Sequence, residues 1–432
     1  MRIRPEGQSY PYEFDLVQVL LKSTIVDKTL DLVSVVGELS IFENMFTNTM
    51  TGNIYVQEQL NLISNFPIVG HEKLEIVLRN PRKKDEELRM EFRIYSVSNI
   101  TTPNQSTQTY MINFISEEYT TNLKSSISRS FSNSVISDIV KSICTTDLSI
   151  EKKIDIEKTK NVHDIIIPNL KPLDAINWLA KRAIAEQYEG ANYLFFETRE
   201  GFKFRSLESL MSLGSQQTYE RIMTDGELES DDTRNVVRTL RKESTFNLLK
   251  NIPSGMYANR LVIHDMIQRK TETLDYNYAE SFAKQQHLEN GKGDWKIDDF
   301  KTINGQETTM FVEETVDEYN TSPLSKQFFM SRFDDKNTYN EKAIQNRVSQ
   351  MQQAQDVKLI VTIAGDIRRN VGDVIEIDMD SVQFGDGDEV KDKLYSGKYL
   401  VSSLRHLIKD DRYTMVMEII KDSYFKSLPK GK

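Results

Sequence analysis

Two stretches far apart in the chain carry the same succession of turn and strand. The first reads IVGHEKLEIVL and then FRIYSVSNITTPNQSTQTYMINFI, over 68–78 and 92–115. The second reads NVGDVIEID and then GKYLVSSLRHLIKDDRYTMVMEII, over 370–378 and 397–420. Each has a Val-Gly-polar turn (Val69-Gly70-His71, Val371-Gly372-Asp373) leading into a strand that carries Glu-Ile (Glu75-Ile76, Glu376-Ile377). Each continues with a strand holding a Val-Ser step (Val97-Ser98, Val401-Ser402), a polar turn, and a further strand of alternating apolar residues. Alternation alone is common to all half-buried hairpins, because successive side chains point to opposite faces. The shared order of turn and strand is the more specific likeness. It predicts internal duplication of a small antiparallel β-barrel.

The remaining chain divides around these copies. Strands are predicted over 16–21, 30–34, 53–57, 74–78, 90–97 and 109–114, punctuated by Thr51-Gly52, Asn80-Pro81 and Thr102-Pro103-Asn104. The predicted fold class is β-rich α+β, with four parts. A first barrel occupies 1–118 and an α/β connecting domain 119–232. The second barrel takes 233–270 plus 339–432, and a polar insertion with scattered aromatics fills 271–338. In the connecting domain, Ile165, Ile166 and Ile167 form an apolar run that Pro168 should stop. Pro172 suits the first turn of a helix, Asp174 suits its positive end, and the apolar spacing runs on to Ile184, with Gly190 as a stop. Strands over 193–198 and 202–206 should then form a hairpin through Gly201. The acidic stretch 225–232 reads as a linker, and a helix is expected near 340–353.

Several function classes find no support in the residues. No window approaches the run of about 20 apolar residues that spans a bilayer as a helix, and MRIRPEGQSYPYEFD lacks the apolar segment of a secretory signal. Cys144 is the single cysteine, so no disulfide can form within the chain; it lies in a helical apolar pattern and reads as a buried, inert thiol. A net charge of −10 opposes nucleic-acid binding, which needs clustered Lys and Arg. The basic run Arg82-Lys83-Lys84 is followed at once by Asp85-Glu86-Glu87 and reads as a solvated loop.

No residue is nominated as catalytic, cofactor-binding or metal-binding. There is no Gly-x-Ser-x-Gly elbow, no His-Glu-x-x-His helix and no phosphate-cradling loop; NGKGDW, 290–295, lacks the spacing. His163-Asp164 and His264-Asp265 are adjacent pairs that a strand would send to opposite faces, so both are expected to be strand-edge polar residues. The loop DMDSVQFGDGDE, 378–389, departs from helix-flanked calcium spacing and reads as a solvated hairpin loop.

The runs IIIPNLKPLDAINWLAKRA, YLFFETREGFKFRSL, FNLLKNIPSGMYANRLVIHD and RRNVGDVIEI with SGKYLVSSLRHLI resemble the baseplate hub proteins of contractile-tailed bacteriophages. The T-even hub is the best-known member, and the late-control D tail proteins are more distant. The likeness covers most of 12–425, least in 271–338. It implies two Tudor-like barrels per chain and a homotrimer with pseudo-sixfold symmetry. The implied partners are a central spike protein, a tail tube or tube-initiator protein and baseplate wedge proteins. It also implies DNA passing through without specific binding, no membrane anchor and no cofactor. The implied location is the virion tail baseplate, with assembly in the host bacterial cytoplasm. The T-even hub continues into a further small domain, whereas Lys432 follows the last strand closely here, so that domain's contacts are not carried over. Two rivals are a virion-associated peptidoglycan hydrolase, which needs two carboxylates about 5–10 Å apart in a groove, and a wedge or tube protein.

Overall fold

The computed structural model describes residues 15–424 except 24–27, 67, 71, 81–82, 105, 189–190, 222–234, 245–246, 266–268, 283, 290–309, 316–339, 356, 381–391, 393 and 411. Seven strands come first: β1 (Asp15–Lys22), β2 (Thr29–Asp31), β3 (Val36–Asn44), β4 (Thr51–Glu58), β5 (Lys73–Asn80), β6 (Lys83–Asn104) and β7 (Thr107–Ile115). Alternation sets their inward faces; β7 turns Tyr110, Ile112 and Phe114 into the core, each at most 1% exposed.

Five more strands follow. These are β8 (Ile127–Val135), β9 (Ile154–Ile156), β10 (Val162–Leu170), β11 (Tyr193–Thr198) and β12 (Gly201–Ser206). β8 and β10 pair antiparallel, while β11, β12 and β9 form a second small sheet in which β12 and β9 run parallel. The helices Ile136–Ser142 and Pro172–Ala180 pack their apolar stripes on these strands, giving a core of their own with Ile139, Ile176, Phe195 and Phe204. At Gly201 φ is +130°, and a Cβ there would lie 2.1 Å from the Lys153 carbonyl oxygen, so only glycine fits the turn.

The last nine strands are β13 (Thr218–Arg221), β14 (Thr239–Ser244), β15 (Ala258–Asp265), β16 (Lys270–Asn277), β17 (Met310–Thr315), β18 (Val357–Ala364), β19 (Val374–Met379), β20 (Gly397–Lys409) and β21 (Arg412–Lys421). β15, β16 and β17 form a separate sheet, and the helix Asn340–Ala354 follows the insertion.

The strand order repeats. In the first unit it runs β3-β4-β7-β6-β5-β1, and in the second β14-β18-β21-β20-β19-β13. Numbered along the chain within each unit, both read 2-3-6-5-4-1. The two differ in one pairing: β1 meets β5 antiparallel, whereas β13 meets β19 parallel. The first strand of each unit is also tied to the segment just before the second, by Leu32 N donating to Val19 O and by Val237 N donating to Glu220 O. Among the described residues no ladder closes either unit into a complete barrel. The units are instead fused through β3 and β20 into one 13-stranded sheet.

Register refines the repeat. Both long strands bulge just after leaving their hairpin partner, between Ile94 and Ser96 on β6 and between Val401 and Ser403 on β20. A bulge inserts one extra residue and sharpens the strand's bend. Ile94 therefore corresponds to Val401, and the Val97-Ser98 step is three residues out of place. The Val-Gly turns do correspond: Gly70 and Gly372 take φ of 93° and 85° ahead of β5 and β19.

Other expectations need correction. β10 runs through Pro168 to Leu170, because the proline sits at a register break where no ladder donor is needed. The helix begins at Pro172 as expected but stops at Ala180 instead of continuing to Ile184; Gly190 lies outside the described residues. The 30–34 strand ends at Asp31 and becomes a 3-10 turn, and Lys83 onward extends a strand where a loop was expected. β3 lies between the strands expected over 30–34 and 53–57, where no strand is expected. β13 falls inside the expected connecting segment yet pairs with β19. The acidic stretch 225–232, NGKGDW, the loop beyond Asp380 and most of the 271–338 insertion lie outside the described residues.

The two glycines give a test. Nothing lies within 4 Å of a Cβ placed on Gly70, while one on Gly372 would meet the Phe196 ring at 3.1 Å. Gly70→Ala should cost about 1 kcal/mol from left-handed strain alone, and Gly372→Ala about 2 kcal/mol or more, as read by thermal unfolding. Equal losses would show that the second turn is not packed against the β11–β12 hairpin.

Candidate functional site

The seam between the two units is the most elaborately built region of the described chain. β3 and β20 pair antiparallel from Ser403↔Asn44 to Lys409↔Glu38. Beneath the ladder lies a buried polar chain. His406 Nε2 is 3.1 Å from Glu43 Oε1, and His406 Nδ1 is 2.6 Å from the Tyr413 hydroxyl. The Glu43 side chain is wholly buried, and its other oxygen accepts from Val371 N at 3.3 Å, in the Val-Gly turn of the second unit. A carboxylate of the first unit thus holds the turn of the second. On the outer face Arg405 donates to Glu38 and Ser40, and Lys409 lies 3.3 Å from Glu38.

The β11–β12 hairpin is wedged at this seam and grips both sides. On the first unit, Glu197 accepts from Met50 N at 2.8 Å and from the Ser116 hydroxyl, and Asn48 bonds to Asn177 and to Phe195 O. On the second unit, Arg199 Nε donates to Asn370 Oδ1 at 2.7 Å, and Asn370 Nδ2 donates to Glu200 at 3.0 Å. Phe196 meanwhile packs against Gly372. Glu197, Arg199 and Glu200, just after Phe196, therefore join three parts of the fold.

A cleft of about 640 Å³ opens between the first unit and the connecting region, lined among others by Lys73, Arg89, Glu117, Glu118, Lys152 and Glu197. It is the groove in which a glycan hydrolase would place its carboxylates. Its two most buried carboxylates are both engaged by one lysine: Lys152 Nζ lies 3.0 Å from Glu118 Oε2 and 2.6 Å from Glu197 Oε1. Burial pushes the Glu197 carboxyl above its ordinary range, with Lys152 opposing that shift. The arrangement is that of a strut, because each acceptor already has a donor.

The residues weighed from sequence fall as follows. His163 lies on β10, an edge strand of its two-stranded sheet, but its side chain is buried, and burial brings its pKa down to about 4. Asp164 turns the other way and accepts from Ser132 and Asn133, so the adjacent pair does point to opposite faces. For His264-Asp265 only the strand placement is described. Cys144 is buried in a π-turn after Ile136–Ser142, with its thiol pushed up to about 12 by burial, as an inert thiol should be. No helix of the described residues is long and apolar enough to cross a membrane. Sequence reasoning missed Glu43 and His406, because nothing local marks residues whose partners lie hundreds of positions away.

Comparison with known proteins now bears on the same architecture. No family model matches the chain. A probable baseplate hub protein, gp334 of Vibrio phage KVP40, is 22% identical over 400 residues, covering 90% of each chain. The chain is similar to phage baseplate hub proteins. In fold it is similar to the 43 kDa tail protein of prophage MuSo2 from Shewanella oneidensis, with a TM-score of 0.57 at 12% identity over 94% of this chain and 99% of that one. It is likewise similar to a tail protein from Neisseria meningitidis MC58, with a TM-score of 0.56 at 10% identity over 96% and 98%. The hub resemblance read from the sequence is borne out.

The strut gives a second test. Lys152→Met leaves Glu197 buried without its cation and should destabilise the fold by about 3 kcal/mol at neutral pH, since breaking a buried pair strands the remaining charge. The raised Glu197 pKa fixes the sign: the defect should shrink as pH falls through that pKa and the carboxyl is neutralised. Thermal unfolding between pH 4 and 8 measures it; a defect independent of pH would assign the loss to packing.

Proposed function

We propose that the chain is the structural hub of a phage tail baseplate. In this reading three chains form a closed ring, each contributing two Tudor-like barrels that arose by duplication, so that six near-equivalent units face around one axis. The ring would join a sixfold tail tube or its initiator to a threefold central spike, with wedge proteins outside, and would surround the passage used in genome ejection. It would assemble in the host cytoplasm and reside in the virion. The repeated 2-3-6-5-4-1 strand order, fused through β3 and β20, carries the reading: a chain with two similar units can present six positions from three copies. The hub likeness over 90% of the chain supports it. The connecting region and the insertion are proposed as separate parts, with β13 belonging to the second unit.

A conduit should not hold the genome. The net charge of −10 suits that, since phosphate affinity grows with each basic contact.

Two measurements test the proposal. Light scattering of the purified protein with its spike partner should give three copies of the 50.1 kDa chain in addition to the mass of the spike; a chain that stays monomeric at micromolar concentration overturns the hub reading. Duplex DNA at physiological salt should bind more weakly than the roughly 10⁻⁴–10⁻⁶ M typical of non-specific DNA-binding proteins, and tighter binding would sink the conduit. A turbidity assay on purified cell wall should show no clearing, and clearing would favour the hydrolase.

A further inference from the structure

The seam within the chain defines a second seam that one chain cannot make. β20 first pairs with β19, as far as Val374↔Leu400 and the bond from Val401 N to Asp373 O. It then bulges, and its freed edge from Ser403 to Lys409 takes up β3. In the 2-3-6-5-4-1 order this is strand five of the second unit pairing with strand two of the first.

β6 does the same up to that point. It pairs with β5 as far as Lys73↔Arg93, closes with a bond from Ile94 N to Glu72 O, and bulges before Ser96. Beyond the bulge it pairs with β7 on one side, and no described strand lies on the other. The counterpart of β3 is β14, which ladders only with β18 and ends the 13-stranded sheet. Each chain therefore carries one strand five and one strand two whose outer edges have no ladder partner among the described residues. These are the elements already joined once inside the chain. The β6 edge also exposes Tyr95 (57%) and Ile100 (53%), large apolar side chains where a solvated edge would carry charge.

We propose that β14 of one copy pairs antiparallel with the second half of β6 in the next copy, reproducing the β3–β20 seam between chains. The register follows from the ladders. Ser96↔Asn113 on β6–β7 corresponds to Ser403↔Glu418 on β20–β21, and Ser98↔Met111 to Arg405↔Val416. Across the other strands, Gly52↔Ile41 corresponds to Leu359↔Lys242. A bulge between Lys242 and Ser244 leaves Glu243 without a ladder partner, so Phe42↔Thr51 corresponds to Ser244↔Lys358. Because Arg405 faces Phe42 in the existing seam, Ser98 faces Ser244 in the new one. The contact is head-to-tail, since one copy offers strand two and its neighbour strand five, so each added copy leaves the same two edges until the ring closes. This inference rests on the ring reading and supplies its interface. The bulge at Asn99, where φ is +54° and the β6–β7 register shifts again, confines the regular ladder to the stretch before it.

Paired cysteines test the register. Residues directly opposite in an antiparallel ladder have Cα atoms about 4.5–5.5 Å apart, within disulfide reach. The double variant Ser98→Cys/Ser244→Cys carries the matched contact. Ser98→Cys/Arg241→Cys is the same contact slipped by two ladder positions. Native Cys144 is buried and should not compete. Each variant is weighed by light scattering before mild oxidation and then run on a non-reducing gel. Trimer mass with covalent dimers and trimers from the matched pair, but not from the slipped pair or the single variants, is the expected result. Trimer mass with the matched pair not linking, or with the slipped pair preferred, overturns this interface and leaves the ring intact. Monomer mass for the unmodified protein in the presence of its spike partner removes both.

Discussion

The pairing of β3 with β20 is the constraint on which the rest of the molecule depends. Without it the chain would be two separate units on a long tether. With it, one sheet runs through both, and a single apolar cluster extends from Val19 and Leu39 to Met417 and Ile419. The ladder also fixes where a charged group can be buried. Glu43 has no exposure, and it survives there because His406 and the Val371 amide both meet it. A one-residue slip would flip every side chain of β3 to the other face and strand that carboxylate. Register and electrostatics at the seam therefore enforce one another.

The β11–β12 hairpin depends on the same arrangement. Its own contribution is local, with Gly201 making the turn and Phe195 stacked on Phe202. Its place is decided by partners from both units, through Glu197 on one side and Arg199 on the other. His287 plays a comparable part for the insertion. Its two ring nitrogens face Asp422 Oδ2 at 2.6 Å and Phe282 O at 2.8 Å, both acceptors. Burial alone would lower its pKa, but the bond and charge of Asp422 outweigh burial and raise it, tying the start of the insertion to the end of β21.

Much of the fold was legible because it is local. Pro172 at the first helical turn, the Gly201 hairpin, the alternation along β7 and β21, and the Val-Gly turns all appear where short-range rules put them. The misreadings have physical causes as well. β3 escaped notice because Gly37 and Glu38 interrupt its apolar run, and it is a strand only because β4 and β20 supply partners on both sides. The helix after Pro172 was drawn too long because Ala183 and Ile184 fit its spacing, although both are buried in the turn that follows. The Val-Ser step misaligned the repeat by three residues, since composition cannot locate a bulge that exists only against a partner strand.

The sequence by itself determined that this chain is β-rich, that its two ends repeat one pattern, and that it resembles phage baseplate hubs. Those properties are written in period-2 alternation and in turn chemistry, which act over a few residues. Only the tertiary structure decided which strands join the copies, that Glu43 and His406 meet across more than three hundred and fifty positions, and that among the described residues no ladder takes up the edges of β6 and β14 that correspond to those joined in β20 and β3. Hydrogen-bond ladders pair residues by position in space, and no local pattern encodes which distant strand will arrive at an edge.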